Sequence, residues 1–239
     1  MADASRDAPA SPTRRAERRV ETIAEIKEQA RRQLSTEGTG GLSLRGIARA
    51  MRMSPAALFR YFDSQSALIT ALCVDSYDSL TEAMAAAQER AGSHPALRWQ
   101  AGCEGARSWA LAHPAEFALI NGTPFPGYQA RSAETGPAAG RLMTVVATPY
   151  LNAVAAGAAD PDATLVPPLS PGPQLGGDTG TGTPVPGILI NAWASILGFI
   201  AGETFGSLAL LISDPDALFA SHVRTVMRGM GFREDSPTP

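Results

Sequence analysis

Two helix-start signals in close succession constrain this chain more than any other feature. Ser43 stands where an N-cap belongs, ahead of a short run in which Leu44, Ile47, Ala48 and Met51 share one face. Ser54-Pro55 is the second signal: a capping hydroxyl, then proline at the first helical position, where its missing N–H is harmless. The spacing predicts a short helix from Ser43 to about Met51, a tight turn over Met51-Arg52-Met53, and a second short helix carrying Ala56 to Phe62. Ala48 is small where the two helices must approach closely. Leu58 and Phe62 face inward, which leaves Pro55, Ala56, Ala57 and Arg60 pointing out. An exposed helix front end of this kind fits the DNA major groove. Paired short amphipathic helices also occur in proteins that never meet DNA, so periodicity alone leaves both readings open.

The rest of the chain has the same period. A first helix is expected over Ala16–Glu37, with Val20, Ile23, Ile26, Ala30 and Leu34 on one face and Gly38, Gly40 and Gly41 ending it. Asp63-Ser64 should cap a long helix from Gln65 to Arg90. Further helices are expected over His94–His113, from Pro114 through Ile120, and over Pro137–Ala158, Pro186–Ile212 and Asp214–Met230. No sustained period-2 alternation appears, so the fold class is all-α, a helical head followed by a helical bundle. The expected organisation is a disordered arm over 1–15, a helix-turn-helix domain over 16–64, a helical body over 65–231 and a tail over 232–239. Within the body, the Pro/Gly/Thr-rich stretch 159–187 reads as a flexible loop, and Asn121 to Gly136 as loop-rich.

Charge distribution narrows the function. Residues 1–65 hold 12 Arg/Lys against 8 Asp/Glu, a balance of +4, while the remainder balances at −7. A basic head on an acidic body fits a head that meets a polyanion. No phosphate-binding glycine loop with lysine, Gly-x-Ser-x-Gly elbow or His-Glu-x-x-His motif is present, so no enzyme is expected. Cys73 and Cys103 match no metal or redox spacing; no metal and no cofactor are expected, and the cysteines read as reduced core residues of a cytoplasmic protein. The N-terminus lacks the charged-then-apolar order of an export signal.

Leu42-Ser43-Leu44-Arg45-Gly46-Ile47-Ala48, the segment Ser54-Pro55-Ala56-Ala57-Leu58-Phe59-Arg60-Tyr61-Phe62 and Ser66-Ala67-Leu68-Ile69 together resemble the N-terminal signature of the tetracycline-repressor (TetR) family, over about residues 17–72. The resemblance implies a regulator that binds double-stranded operator DNA as a homodimer and answers to a small-molecule effector. It implies a phosphate contact for Ser43, base-edge or phosphate contacts for Arg45 and Arg60, and a phosphate contact for the Tyr61 phenol. Ser54, Pro55, Ala56 and Ala57 would form the groove-facing start of the recognition helix. Phe59, Tyr61 and Gln65 depart from the pattern, where tyrosine, histidine and lysine are usual; a phosphate donor and a charge are missing.

In the body, Trp99, Trp109, Phe117, Trp193 and Phe199 could line a ligand cavity or serve as ordinary core, with Asn191 and Glu203 as polar handles. Glu203 is the only charge between Gly187 and Ser213 and needs a partner: by preference an arginine of the body, next a ligand, or else solvent at a helix edge. His113, before Pro114, reads first as a helix C-cap and second as a ligand contact. Ala194, Gly198, Gly202 and Gly206 form a small-residue stripe. With Leu218, Phe219, Val223, Val226 and Met230 of the last helix they make the expected dimer face. The same glycine spacing in an apolar run allows a membrane anchor over 187–212 as the alternative, disfavoured by Glu203 and Asn191.

Overall fold

The computed structural model describes residues 14–122, 128, 132–168 and 182–233. It is all-α, and the chain divides into two compact units, 1–68 and 69–239. The Pro124-Phe125-Pro126-Gly127 stretch and residues 169–181 of the loop reading lie outside the described residues, as do 1–13 and 234–239.

In the first unit, α1 (Arg14–Glu37) buries Ile26, Ala30 and Leu34, one face at helical spacing. Helix α2 (Leu44–Ala50) turns Leu44, Ile47 and Ala48 onto that face, and α3 (Pro55–Leu58) adds Leu58. Gly38, at φ 69°, ends α1, and one short 3-10 turn (Thr39–Gly41) leads to Ser43.

Helix α4 (Gln65–Arg90) carries the chain onward into the second unit. There α5 (Pro95–Ala112) is central, touching α6 (Pro114–Asn121), α7 (Ser132–Ala155), α8 (Val185–Thr204) and α9 (Pro215–Gly229). Its face of Trp99, Cys103, Ala106 and Trp109 is buried. Cys73 and Cys103 are free and buried, and burial pushes both thiols up from their ordinary pKa. His113 does close α5: its Nδ1 lies 2.9 Å from the Trp109 carbonyl oxygen and its ring stacks on the indole at 5.3 Å.

Three elements differ from expectation. Helix α7 starts at Ser132, not Pro137, and ends at Ala155, not Ala158, running through Pro149 as the expected helix did. Proline at 149 removes the N–H that would bond the Val145 carbonyl one turn back. The Gln88 amide replaces it, donating from Nε2 to Val145 O at 3.0 Å. Gly102 makes room, since a Cβ there would sit 2.7 Å from that nitrogen.

Helix α8 ends at Thr204 rather than Ile212. Gly206, at φ 79°, takes the left-handed conformation, and Leu208 N–H bonds back to Gly202 O at 3.1 Å. Finally, residues 159–168 are held against the chain's end. Asp160 N–H donates to Gly231 O at 2.9 Å and Arg233 N–H to Ala158 O at 3.0 Å, closing an isolated Ala159–Phe232 bridge. Phe232, expected in the tail, is buried and packs edge-on to Tyr150.

Among the described residues, α8 is the one helix long and apolar enough to cross a membrane. In the second unit it is a core helix that buries Ile188, Leu189, Ala192, Trp193, Ile196 and Ile200.

Candidate nucleic-acid interface

The helix-turn-helix is built by caps at three points. Ser43 Oγ accepts the Gly46 N–H at 3.2 Å, and the Ser43 N–H itself donates to Gln33 Oε1 of α1 at 3.0 Å. Gly46 has no side chain because a Cβ would meet Gln33 Nε2 at 2.7 Å. At the turn, Met53 N–H bonds Ala48 O at 2.8 Å and Arg52 N–H bonds Arg49 O at 3.1 Å. This is a Schellman closure whose left-handed position is Arg52, at φ 55°, where glycine is the usual occupant. Ser54 Oγ then accepts the Ala57 N–H at 3.2 Å and opens α3 with Pro55 at its first position.

Helix α3 is shorter than the expected Ala56–Phe62 helix, but its path continues as helical turns: Phe59 N–H reaches Pro55 O at 3.0 Å and Phe62 N–H reaches Leu58 O at 3.2 Å. Leu58 and Phe62 are buried. Ser43, Arg45, Ser54, Pro55, Ala56, Phe59, Arg60 and Gln65 are exposed, and Ala57 and Tyr61 are half-buried. The outward face from Ser54 to Tyr61 therefore carries small residues at its front and arginines at its flanks, and the first carboxylate, exposed Asp63, follows only past Phe62. Arg45 and Arg60 make no ion pair among the described residues. Such a face can approach base edges and phosphates without desolvating a competing anion.

Tyr61 is less free than its sequence suggests. The Arg19 guanidinium lies over its ring, 5.2 Å from the centroid, and donates to the Arg60 carbonyl at 3.4 and 3.5 Å. The back end of the recognition element is thus tied to α1. Gln33, Arg19 and the Arg52 conformation were not legible in the sequence; all three depend on contacts between segments remote in the chain or on a turn geometry that arginine does not signal.

Comparison with known proteins decides the family. Residues 26–72 match the family model described as bacterial regulatory proteins, tetR family, and residues 99–226 match that of a tetracyclin repressor-like C-terminal domain. The chain belongs to the TetR family of bacterial transcriptional regulators. It is 33% identical to the HTH-type transcriptional regulator Rv1816 of Mycobacterium tuberculosis, across 90% of this chain and 94% of the relative. The crystal structure of the regulatory protein SCO4313 matches with a TM-score of 0.71 at 29% identity, covering 91% of this chain and all of the other. RolR, solved with resorcinol, shares the fold at a TM-score of 0.56 and 16% identity, with 94% of this chain and 98% of its own covered. As a TetR-family regulator the protein is not an enzyme.

The second unit distributes the body residues unevenly. Trp99, Trp109, Phe117 and Trp193 are buried in one core cluster, with Phe199 packed against it. Trp109 Nε1 donates to Ser79 Oγ at 2.9 Å, whereas the buried Trp99 Nε1 has no partner among the described residues. Asn191 lies apart from them, on the exposed side of α8, lining a shallow groove of about 210 Å³ with Ser195, Val166 and Val226. Glu203 is gripped by Arg107: Nε donates to Oε2 at 2.7 Å and Nη2 to Oε1 at 2.6 Å. The same Nη2 also reaches Asp216 Oδ1 at 2.6 Å, and the guanidinium lies over the Phe219 ring. The Glu203 hydrogen bonds raise the Arg107 pKa further, against the opposing pull of burial.

Part of the expected dimer face points inward. Phe219, Val223 and Met230 are buried within the chain itself, so they cannot meet a partner directly. Gly202 is covered by the chain's own Leu208, and Gly206 lies beyond the end of α8. Gly198 and Leu218 are exposed and Val226 is half-buried; a Cβ on Gly198 would meet nothing.

Proposed function

We propose that the protein is a cytoplasmic, dimeric repressor that reads an inverted-repeat operator and is released by a small-molecule effector. The observation that carries the DNA-reading part is the outward face of α3: capped at Ser54, small at Ala56 and Ala57, and flanked by exposed Arg45 and Arg60. Two copies of that face, about 34 Å apart, would enter successive major grooves. The exposed side of α8 around Ala194 and Gly198, with Leu218 of α9, supports pairing of two chains, because small residues let helices approach closely.

An effector would bind in the body among Trp99, Trp109, Phe117, Trp193 and Phe199. The unpartnered Trp99 Nε1 supports this, since a buried indole N–H without an acceptor is a donor available to a ligand. Asn191, on the exposed side of α8 and away from these aromatics, does not belong to that site, and Glu203 is committed to Arg107. Effector binding would lower operator affinity through α4, the helix that leaves the head.

Selection of bound duplexes from a random DNA pool tests the reading. An inverted repeat is expected, and replacing Arg45 and Arg60 by alanine should weaken binding to it by at least tenfold. Specific binding that survives both changes would show that another surface reads the operator.

A further inference from the structure

The head carries a second cationic surface that the helix-turn-helix does not explain. Arg14, Arg15, Arg18 and Arg19 crowd the first turns of α1, with Glu17 the only acid among them. Arginine there opposes the positive end of the helix dipole and repels its neighbours, so the free head gains nothing from this arrangement. Arg14, Arg15 and Arg18 are exposed, and none of them makes an ion pair among the described residues. The family pattern begins at residue 26, so this turn lies outside the matched segment.

Its position is set by Arg19, which holds the Arg60 carbonyl and the Tyr61 ring at the back end of the recognition element. Arg15 stands one helical turn before Arg19 on the same face, and Arg18 is its neighbour. A duplex seated on α3 would bring a phosphate strand alongside that end. Phe59 and Gln65, exposed there, supply no charge of their own.

We propose that Arg15 and Arg18 neutralise DNA backbone phosphates flanking the bases read by α3, adding affinity without adding sequence choice. The proposal rests on the DNA-reading assignment and goes beyond the helix-turn-helix contacts. Each phosphate neutralised adds about 0.9 to the salt slope of binding.

The test uses the full-length protein and the duplex it selects from a random pool. Affinity is measured between 50 and 300 mM salt for the wild type, Arg15→Ala/Arg18→Ala and Arg15→Lys/Arg18→Lys, as roughly spaced steps of ionic strength. The alanine pair should weaken binding by roughly 10- to 100-fold at 100 mM salt and flatten the slope by about two per protomer. Its preference for the selected duplex over a scrambled one should not change, and the lysine pair should keep the wild-type slope. A wild-type slope in the alanine pair overturns this inference alone, as does a lost sequence preference, which would place the arginines on bases. A wild-type chain that selects no duplex overturns the parent reading as well.

Discussion

Replacing Gln88 by leucine should destabilise the body, and replacing Pro149 by alanine should cancel most of that loss. Gln88 is 4% exposed, and its Nε2 donates to Val145 O at 3.0 Å, the carbonyl that Pro149 leaves without a helical donor. Leucine keeps most of the volume and removes the amide. Val145 O then has no donor, and an unsatisfied buried carbonyl costs about 1–3 kcal/mol. In the Pro149→Ala background the backbone N–H at that position returns to the ladder, and the leucine should cost little beyond local repacking. A double-mutant cycle should give a coupling of about 1–2 kcal/mol. Urea unfolding followed by tryptophan fluorescence suits the measurement, because Trp99, Trp109 and Trp193 all lie in the second unit. An equal cost for Gln88→Leu in both backgrounds would show that the amide does not stand in for the missing N–H.

Other perturbations probe separate parts of the molecule. Arg52→Gly should stabilise the head by about 0.5–1 kcal/mol, since glycine tolerates the left-handed turn position that arginine occupies at φ 55°; a lower thermal midpoint would contradict this. Glu203→Gln should cost roughly 1–3 kcal/mol in urea unfolding, because it leaves the Arg107 guanidinium, 15% exposed, with only the exposed Asp216 as a charged partner. Tyr150 donates its hydroxyl to Met230 O at 2.9 Å, and burial pushes its pKa from 10.0 up to about 12. The folded chain holds that proton more tightly than the unfolded one. Its contribution is complete below pH 10 and drains away as pH rises towards 12; Tyr150→Phe should remove this slope from a stability-versus-pH profile.

Local chemistry made the head and the helical class legible without coordinates. Ser43 and Ser54-Pro55 act within one turn of themselves, so their caps appear where the residue order places them. Amphipathic spacing likewise located the buried Ile26, Ala30 and Leu34 of α1 and Leu44, Ile47 and Ala48 of α2, although Val20, read on the same face of α1, is 68% exposed because it lies a turn beyond the packed stretch. The charge of Glu203, stranded in an apolar run, announced a need for a partner but not that Arg107 would be the one.

What the residue order could not decide were outcomes set by remote groups. Pro149 would ordinarily argue against a continuous helix, and only the packing of α4 against α7 supplies Gln88 to its orphaned carbonyl. The α8 stripe looked uniform, yet Leu208 folds back over Gly202 while Gly198 stays open. Period alone cannot distinguish an apolar face buried by its own chain from one left for another. That choice was made for Phe219, Val223 and Met230 by which helices come to lie beside them, and hydrophobic burial rewards either arrangement equally.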